Sequence, residues 1–250
     1  MMNFENKSNE FEVFHTQLKE ALGALGIKAL SDAQADQLYR YHLLLYKTNE
    51  EMNLTAVPEG DAVPLHYVDS LLASSFLPNK GQVLDVGTGA GLPLIPLAIA
   101  RPDLTFVGLD STEKKVSFVR KTIKDLGLEN VQVWYGRAEE LANQYRESFD
   151  AVMARAVANL YTLSELCIPF LKIGCDFIAL KGSLADKELT ASLNHIMELG
   201  CDKPKRNEFE LPVRGETQKR VVLSLRKVKS TPAGFPRRFG AIKKAALQIQ

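Results

Sequence analysis

No apolar run in these 250 residues approaches the roughly 20 that a membrane-spanning helix needs. Cysteine is scarce as well. Cys167, Cys175 and Cys201 are odd in number and lack ligand-like spacing. That argues against a disulfide framework or a zinc site and fits buried thiols in a reducing compartment. The stretch Met1 to Phe14 has no apolar core and carries Glu5, Glu10 and Glu12, so it does not read as a secretion signal. No internal repeat and no low-complexity tract is present. These absences imply a cytoplasmic protein with no membrane segment and no metal. What remains is ordinary globular material, 46% apolar and 24% charged. It suffices for one large domain, or one domain with a smaller appendage.

The net charge of +1 conceals an asymmetry. From Lys203 to Gln250 there are thirteen basic and three acidic side chains, so that segment carries +10 and the rest −9. A basic end on an acidic chain suggests an anionic macromolecular partner. Phe235, Pro236 and Phe239 interleave with Arg237 and Arg238, a pattern suited to RNA, where bases stack on rings and guanidinium planes.

Patterning divides the chain into a helical cap over 1–80, a core over 81–229 and a basic tail over 230–250. In the cap, Glu12–Leu25, Asp32–Lys47 and Pro64–Leu77 read as helices, with Leu38, Tyr41 and Leu45 on one face of the second. Beyond Gly81 strands and helices alternate. The strands are Gln82–Val86, Thr105–Leu109, Val131–Tyr135, Asp150–Ala154, Cys175–Leu180, Asn207–Leu211 and Arg220–Lys227. The helices are Leu92–Arg101, Lys114–Leu126, Ala138–Asn143, Leu160–Phe170 and Asp186–Leu199. This alternation predicts an α/β fold with a parallel sheet covered on both faces. The last two strands are joined only by a loop, which predicts a C-terminal antiparallel hairpin.

The densest signal is Val83 to Leu92, a short apolar run ending in Gly87, Gly89 and Gly91 before a helix. Glycine lets backbone N–H groups approach a nucleotide-like ligand, because no Cβ holds it off. A dinucleotide fingerprint would need glycine where Leu92 stands, and no Gly-Lys-Ser/Thr follows as in a phosphate loop. Asp110 closes the second strand, where it can either accept from both ribose hydroxyls or cap the next helix. Gly136-Arg137-Ala138-Glu139 follows the third strand. There Ala138 and Glu139 either meet an adenine or favour a helix N-terminus. Asp85, just before the glycines, either positions the ligand and its loop or caps. Seven strands ending in a hairpin, with these markers after successive strands, predict a Rossmann-like class I S-adenosylmethionine-dependent methyltransferase fold.

Over Gln37 to Lys229 the chain resembles the RsmG (GidB) family of bacterial 16S ribosomal RNA guanine-N7 methyltransferases. The resemblance rests on Asn53-Leu54-Thr55; His66 with Asp69-Ser70-Leu71-Leu72; Leu84 to Gly91; Ile95 to Ile99; Asp110-Ser111; Lys114-Lys115 with Phe118; Arg137-Ala138-Glu139; Ala154-Arg155-Ala156-Val157-Ala158; and Leu180-Lys181-Gly182. It implies S-adenosyl-L-methionine as cofactor. Asp85, Gly87, Gly89, Leu92, Asp110, Ser111, Ala138, Glu139 and Arg155 are the implied cofactor contacts. Arg155 is also the candidate catalytic residue. Asn53, His66, Lys181, Arg237 and Arg238 are the candidate contacts to substrate RNA. The implied partner is 16S rRNA or the 30S subunit, met by a monomer. The chain departs from the family at Gly91-Leu92-Pro93-Leu94-Ile95-Pro96, where Gly-Phe-Pro-Gly-Ile-Pro is usual, and drifts after Arg238.

Missing motifs agree with that chemistry. Amino-group methylation commonly uses Asp/Asn-Pro-Pro-aromatic after the fourth strand, where this chain has Ala154-Arg155-Ala156-Val157. Carbon-5 methylation needs a cysteine in a loop beside the cofactor, and Cys167 and Cys175 fall in a helix and a strand. Guanine N7 offers an exposed lone pair with no proton to remove, so alignment suffices. Asp85 or Glu139 is the expected ion partner of Arg155.

Overall fold

The alternation beyond Gly81 becomes a seven-stranded sheet in a computed structural model describing residues 4–155 and 158–248. Ala156 and Val157, part of the segment singled out after the fourth strand, lie outside the described residues. The strands are β1 (Gln82–Val86), β2 (Thr105–Asp110), β3 (Val131–Tyr135), β4 (Phe149–Arg155), β5 (Leu171–Lys181), β6 (Lys205–Val213) and β7 (Glu216–Arg226). Their spatial order is β3-β2-β1-β4-β5-β7-β6. The first five are parallel, and β7 runs antiparallel to both β5 and β6. The chain reverses its winding between β1 and β4, and a crevice opens there beyond the strands' carboxyl ends.

Nine α-helices accompany the sheet among the described residues: α1 (Phe4–Ala24), α2 (Asp32–Met52), α3 (Asp69–Leu71), α4 (Leu94–Ala100), α5 (Glu113–Leu126), α6 (Ala138–Leu141), α7 (Leu160–Cys167), α8 (Ala185–Glu198) and α9 (Phe239–Leu247). The short α3 continues a π-wound stretch, Val63–Val68, and passes into a 3-10 stretch, Leu72–Phe76. Each sheet face covers one apolar core. The core beneath α1–α5 includes Leu38, Tyr41, Ile95 and Val116, and the core beneath α6–α9 includes Leu163, Ile196 and Ile242.

The N-terminal helices share the first core and are tied to α4 and the loop before it by polar contacts. Ser31 caps α2 in a reciprocal box with Gln34, satisfying amides that the helix start would otherwise orphan. Gln34 Nε2 donates to Ile99 O at 2.8 Å, and Tyr41 Oη donates to Ala90 O at 2.8 Å. The second contact matters because Ala90 lies in the glycine loop.

Most boundaries shift by a few residues from the sequence expectation, as where β5 and β7 each begin four residues early, at Leu171 and Glu216, and three departures are larger or bear on the site. α1 begins at Phe4, eight residues before Glu12. Leu92 and Pro93 precede α4 and do not belong to it. The C-terminal segment read as a tail folds into α9, which buries Ile242 and Ala246.

Candidate active site

A cavity of about 470 Å³ opens beyond the carboxyl ends of β1, β2 and β3, within the 300–1,000 Å³ usual for small-molecule sites. Its floor is the glycine loop. Gly87 and Gly89 both have left-handed backbone, at φ 76° and 59°, a conformation that a residue with a Cβ adopts only at a cost. A Cβ added at Gly89 would meet only Gly87 O at 3.9 Å, so the space over the loop is open to a ligand. Gly87 N and Thr88 N donate to Leu109 O at 2.7 and 3.1 Å, binding the loop to β2. Leu92 lines the cavity, but its N–H donates to Thr88 O.

Asp110 meets both readings of the sequence at once. Oδ2 accepts from Gly89 N at 2.9 Å and Oδ1 from Thr112 N at 2.8 Å. It therefore braces loop and turn together, yet it still faces the cavity beside Ser111. A carboxylate oxygen has two lone pairs, so each keeps an acceptor site for a ligand hydroxyl. Gly136, Arg137, Ala138 and Glu139 form the adjoining wall. A glycine floor, a hydroxyl acceptor and an acid at the far wall fit an adenosyl ligand.

Asp85 lies elsewhere. It is fully buried beneath the loop, opposite Gly108 and Met153 in register, and is absent from the cavity wall. Neither of its oxygens reaches a hydrogen-bond partner among the described residues. Burial pushes its carboxyl up to about 7, against the pull of Thr88 and Arg155.

Arg155 and His66 sit where this cavity meets a second one, of about 630 Å³, at the ends of β4, β5 and β7. The partner of Arg155 is neither Asp85 nor Glu139. Its Nη1 donates to Asp69 Oδ2 at 2.9 Å and to Leu65 O at 3.1 Å. Asp69 Oδ1 in turn accepts from Arg220 Nε at 3.1 Å. One buried cap carboxylate thus holds arginines from β4 and β7. His66 Nε2 lies 2.8 Å from Thr55 Oγ1, and its Nδ1 is buried without a partner among the described residues. Burial lowers its pKa to about 4, with Arg155 adding to the effect, so the ring is neutral at pH 7.

The other candidate residues are dispersed. Lys181 lines only the second cavity, where its Nζ is 2.7 Å from both Glu188 Oε2 and Ala158 O. Asn53 is an exposed left-handed cap of α2, at φ 50°, and its neighbours Leu54 and Thr55 reach the cavity instead. Arg237 is committed to buried Glu165. Arg238 is exposed at the start of α9. Sequence reasoning did not assign Thr55, Asp69, Arg220 or Phe239 a role in the site. For Asp69 a signal existed in the His-x-x-Asp-Ser spacing. For Arg220 none did, because its partner is 151 residues away.

Among the described residues no helix is long and apolar enough to cross a membrane, and no metal-ligating cluster occurs. The family model described as rRNA small subunit methyltransferase G (GidB) matches residues 34–219. A ribosomal RNA small subunit methyltransferase G from Brevibacillus brevis is 41% identical over 92% of this chain and 98% of its own. One of the same name from Deinococcus radiodurans is 45% identical over 82% of each chain. Among solved structures, a SAM-dependent O-methyltransferase from Thermotoga maritima aligns at TM-score 0.52 and 15% identity, covering 75% of this chain and 73% of that one. P. horikoshii TYW2 in complex with MeSAdo aligns at 0.51 and 16%, covering 67% and 64%. Both likenesses concern the fold, which is that of methyltransferases. The chain belongs to the GidB family, rRNA small subunit methyltransferase G, a family of enzymes whose cofactor is S-adenosylmethionine.

Proposed function

We propose that this protein methylates N7 of a guanine in 16S ribosomal RNA, acting as a cytoplasmic monomer on the RNA or the 30S particle. The observation that carries the reading is the pair of adjoining cavities with Arg155 and His66 at their junction. The first cavity takes the cofactor through Gly87, Gly89, Leu92, Asp110, Ser111, Ala138 and Glu139. The second is larger, with room for a base and its attached nucleotide, and holds Lys181 and Arg220. Bound S-adenosylmethionine supplies an electrophilic methyl group on its sulfonium.

This chain's own residues orient the acceptor. Guanine presents O6 and N7 as acceptors on one edge. Donors from Lys181, Arg155 or Arg220 suit O6, which leaves the N7 lone pair free for attack. His66 is neutral and would not repel an incoming sulfonium. N7 carries no proton, so a general base is not required. Proximity and alignment then carry the rate enhancement. Arg155 is the junction group, and Asp69 holds its guanidinium in place. Asn53 and Arg238 lie outside both cavity walls, in exposed positions that suit RNA backbone contact.

The test uses radiolabelled S-adenosylmethionine with 16S rRNA and with 30S particles, followed by borohydride and aniline treatment. An N7-methylated guanine is cleaved at one site. Label on RNA without cleavage would reject N7, and label on neither RNA nor particles would reject the substrate class.

A further inference from the structure

Among the described residues, Phe239 is the one wall residue of the first cavity that follows β7 in the chain, and it is the first residue of α9. It stands beside Arg137 and Glu139, with which it also borders a shallow groove that includes Arg238. Three fastenings hold it there. Thr231 Oγ1 donates to Leu199 O at 2.8 Å, and Arg146 donates to the carbonyls of Thr231 and Phe235. α9 packs on α7 through Ile242 and Ala246.

The third fastening is a clasp around Glu165, which is fully buried on α7. Glu165 Oε1 accepts from Arg237 N at 2.7 Å and from Nε at 2.9 Å, while Oε2 accepts from Nη2 at 2.6 Å. Nη2 also donates to Tyr161 Oη at 3.0 Å, and His195 stacks on the Tyr161 ring at 3.9 Å with its Nε2 3.1 Å from Glu165 Oε2. A buried carboxylate met by a forked guanidinium and a backbone amide is a specific, strongly directional contact. It commits the Nε and Nη2 donors of Arg237 to protein partners and pairs its charge with Glu165, so Nη1 alone is left to face an RNA phosphate. The clasp sits two residues before Phe239 and so sets where that ring stands.

We propose that residues 231–239 form a strap that delivers Phe239 as an aromatic wall for the adenine end of the cofactor site, with the Arg237–Glu165 clasp as the positioning device. The inference rests on the cofactor reading given above. A phenyl ring offers the adenine a flat aromatic face, which Ala138 and Leu166, the other apolar wall residues after β3 among the described residues, do not. Base-on-aromatic contacts of this kind typically change affinity about tenfold or more on truncation to alanine.

The experiment is calorimetric binding of S-adenosylhomocysteine and of 5′-methylthioadenosine, which shares the adenosyl part and lacks the amino-acid end. Phe239→Ala is expected to weaken both by the same factor, about tenfold, and Phe239→Trp to restore them. Arg237→Gln keeps the ring and removes the fork, so it should reproduce much of the loss, and the double variant should lose little more than Phe239→Ala alone. Each variant is accompanied by a thermal melt to show that it is folded. Unchanged affinity in folded Phe239→Ala would overturn the proposal, including the case where RNA binding alone falls. So would a loss confined to S-adenosylhomocysteine. Should Phe239→Ala fail to fold, Arg237→Gln with wild-type affinity would overturn the clasp as a positioning device. Failure of the unmodified protein to bind either compound would instead reject the cofactor reading beneath it.

Discussion

Beyond the cost of burying the neutral carboxyl, burying Asp85 carries an ionisation cost. Its carboxyl, ordinarily near 3.8, is raised to about 7 by burial, so the cost is absent below about pH 4 and complete above about pH 7. Asp85→Asn should therefore raise the stability of the ligand-free protein at pH 8 and change it little at pH 4, with a ceiling on the order of 4 kcal/mol. Denaturant midpoints at the two pH values measure this, and an equal effect at both would refute it. Gly108 makes a steric prediction of the opposite sign. A Cβ there would stand 2.5 Å from Leu94 Cδ2 and 3.1 Å from Thr88 Cγ2. Gly108→Val should destabilise by about 1–3 kcal/mol through overpacking, and it should disturb Thr88 at the cavity floor. An unchanged urea midpoint would count against it.

Elements were legible in the sequence where their own periodicity decided them. β1 and β3 keep the bounds expected from their apolar runs, because alternation or continuous burial is written into five consecutive residues. α9 was not legible. Its burial rests on Ile242 and Ala246, too few apolar positions to reveal a helix face among Lys243 and Lys244. That the glycine loop and Asp110 line one cavity was legible because their spacing is local. The partnership of Arg155 with Asp69 was not, because it spans 86 residues. The clasp of the C-terminal strap carries its own pH signature. Despite burial, Arg237 and His195 hold Glu165 down to about 2, below its ordinary 4.5. Its contribution is present above pH 4.5 and is lost as pH falls from there through 2. Strap attachment, followed by hydrogen exchange of α9 relative to α5, should stay constant from pH 8 to 5.

At the scale of the whole molecule, charge and cap contribute separately. Because the charge of Arg237 is paired with that of Glu165, Arg238, Lys243 and Lys244 are the cations of the strap and α9 whose charge is left for phosphates. Replacing those three by alanine should reduce the slope of log affinity against log salt by about 2 or 3 on single-stranded RNA, whereas Arg237→Gln should leave it unchanged. Filter binding across a salt series distinguishes the two. The cap contributes acid lability. Burial lowers His42 and His66 to about 4 from the ordinary 6.5, so both favour the folded state above pH 6.5 and cease to do so as pH falls through 4. Thermal melts should decline over that window, less steeply in His42→Gln.

The double grip on Asp69 has a temporal consequence. Arg155 comes from β4 and Arg220 from β7, so the two halves of the grip leave the ribosome 65 positions apart in the chain. A nascent chain that ends before β7 already has the glycine loop, Asp110 and the first arginine. It lacks the second arginine and the antiparallel strand that β5 pairs with on its outer side. Contacts this distant in sequence close late. The floor of the cofactor cavity is thus present before the second cavity is closed and before Phe239 is added, and a chain interrupted at Gly215 should bind S-adenosylhomocysteine less stably than the full protein and exchange amide hydrogens faster in the π-wound stretch around His66.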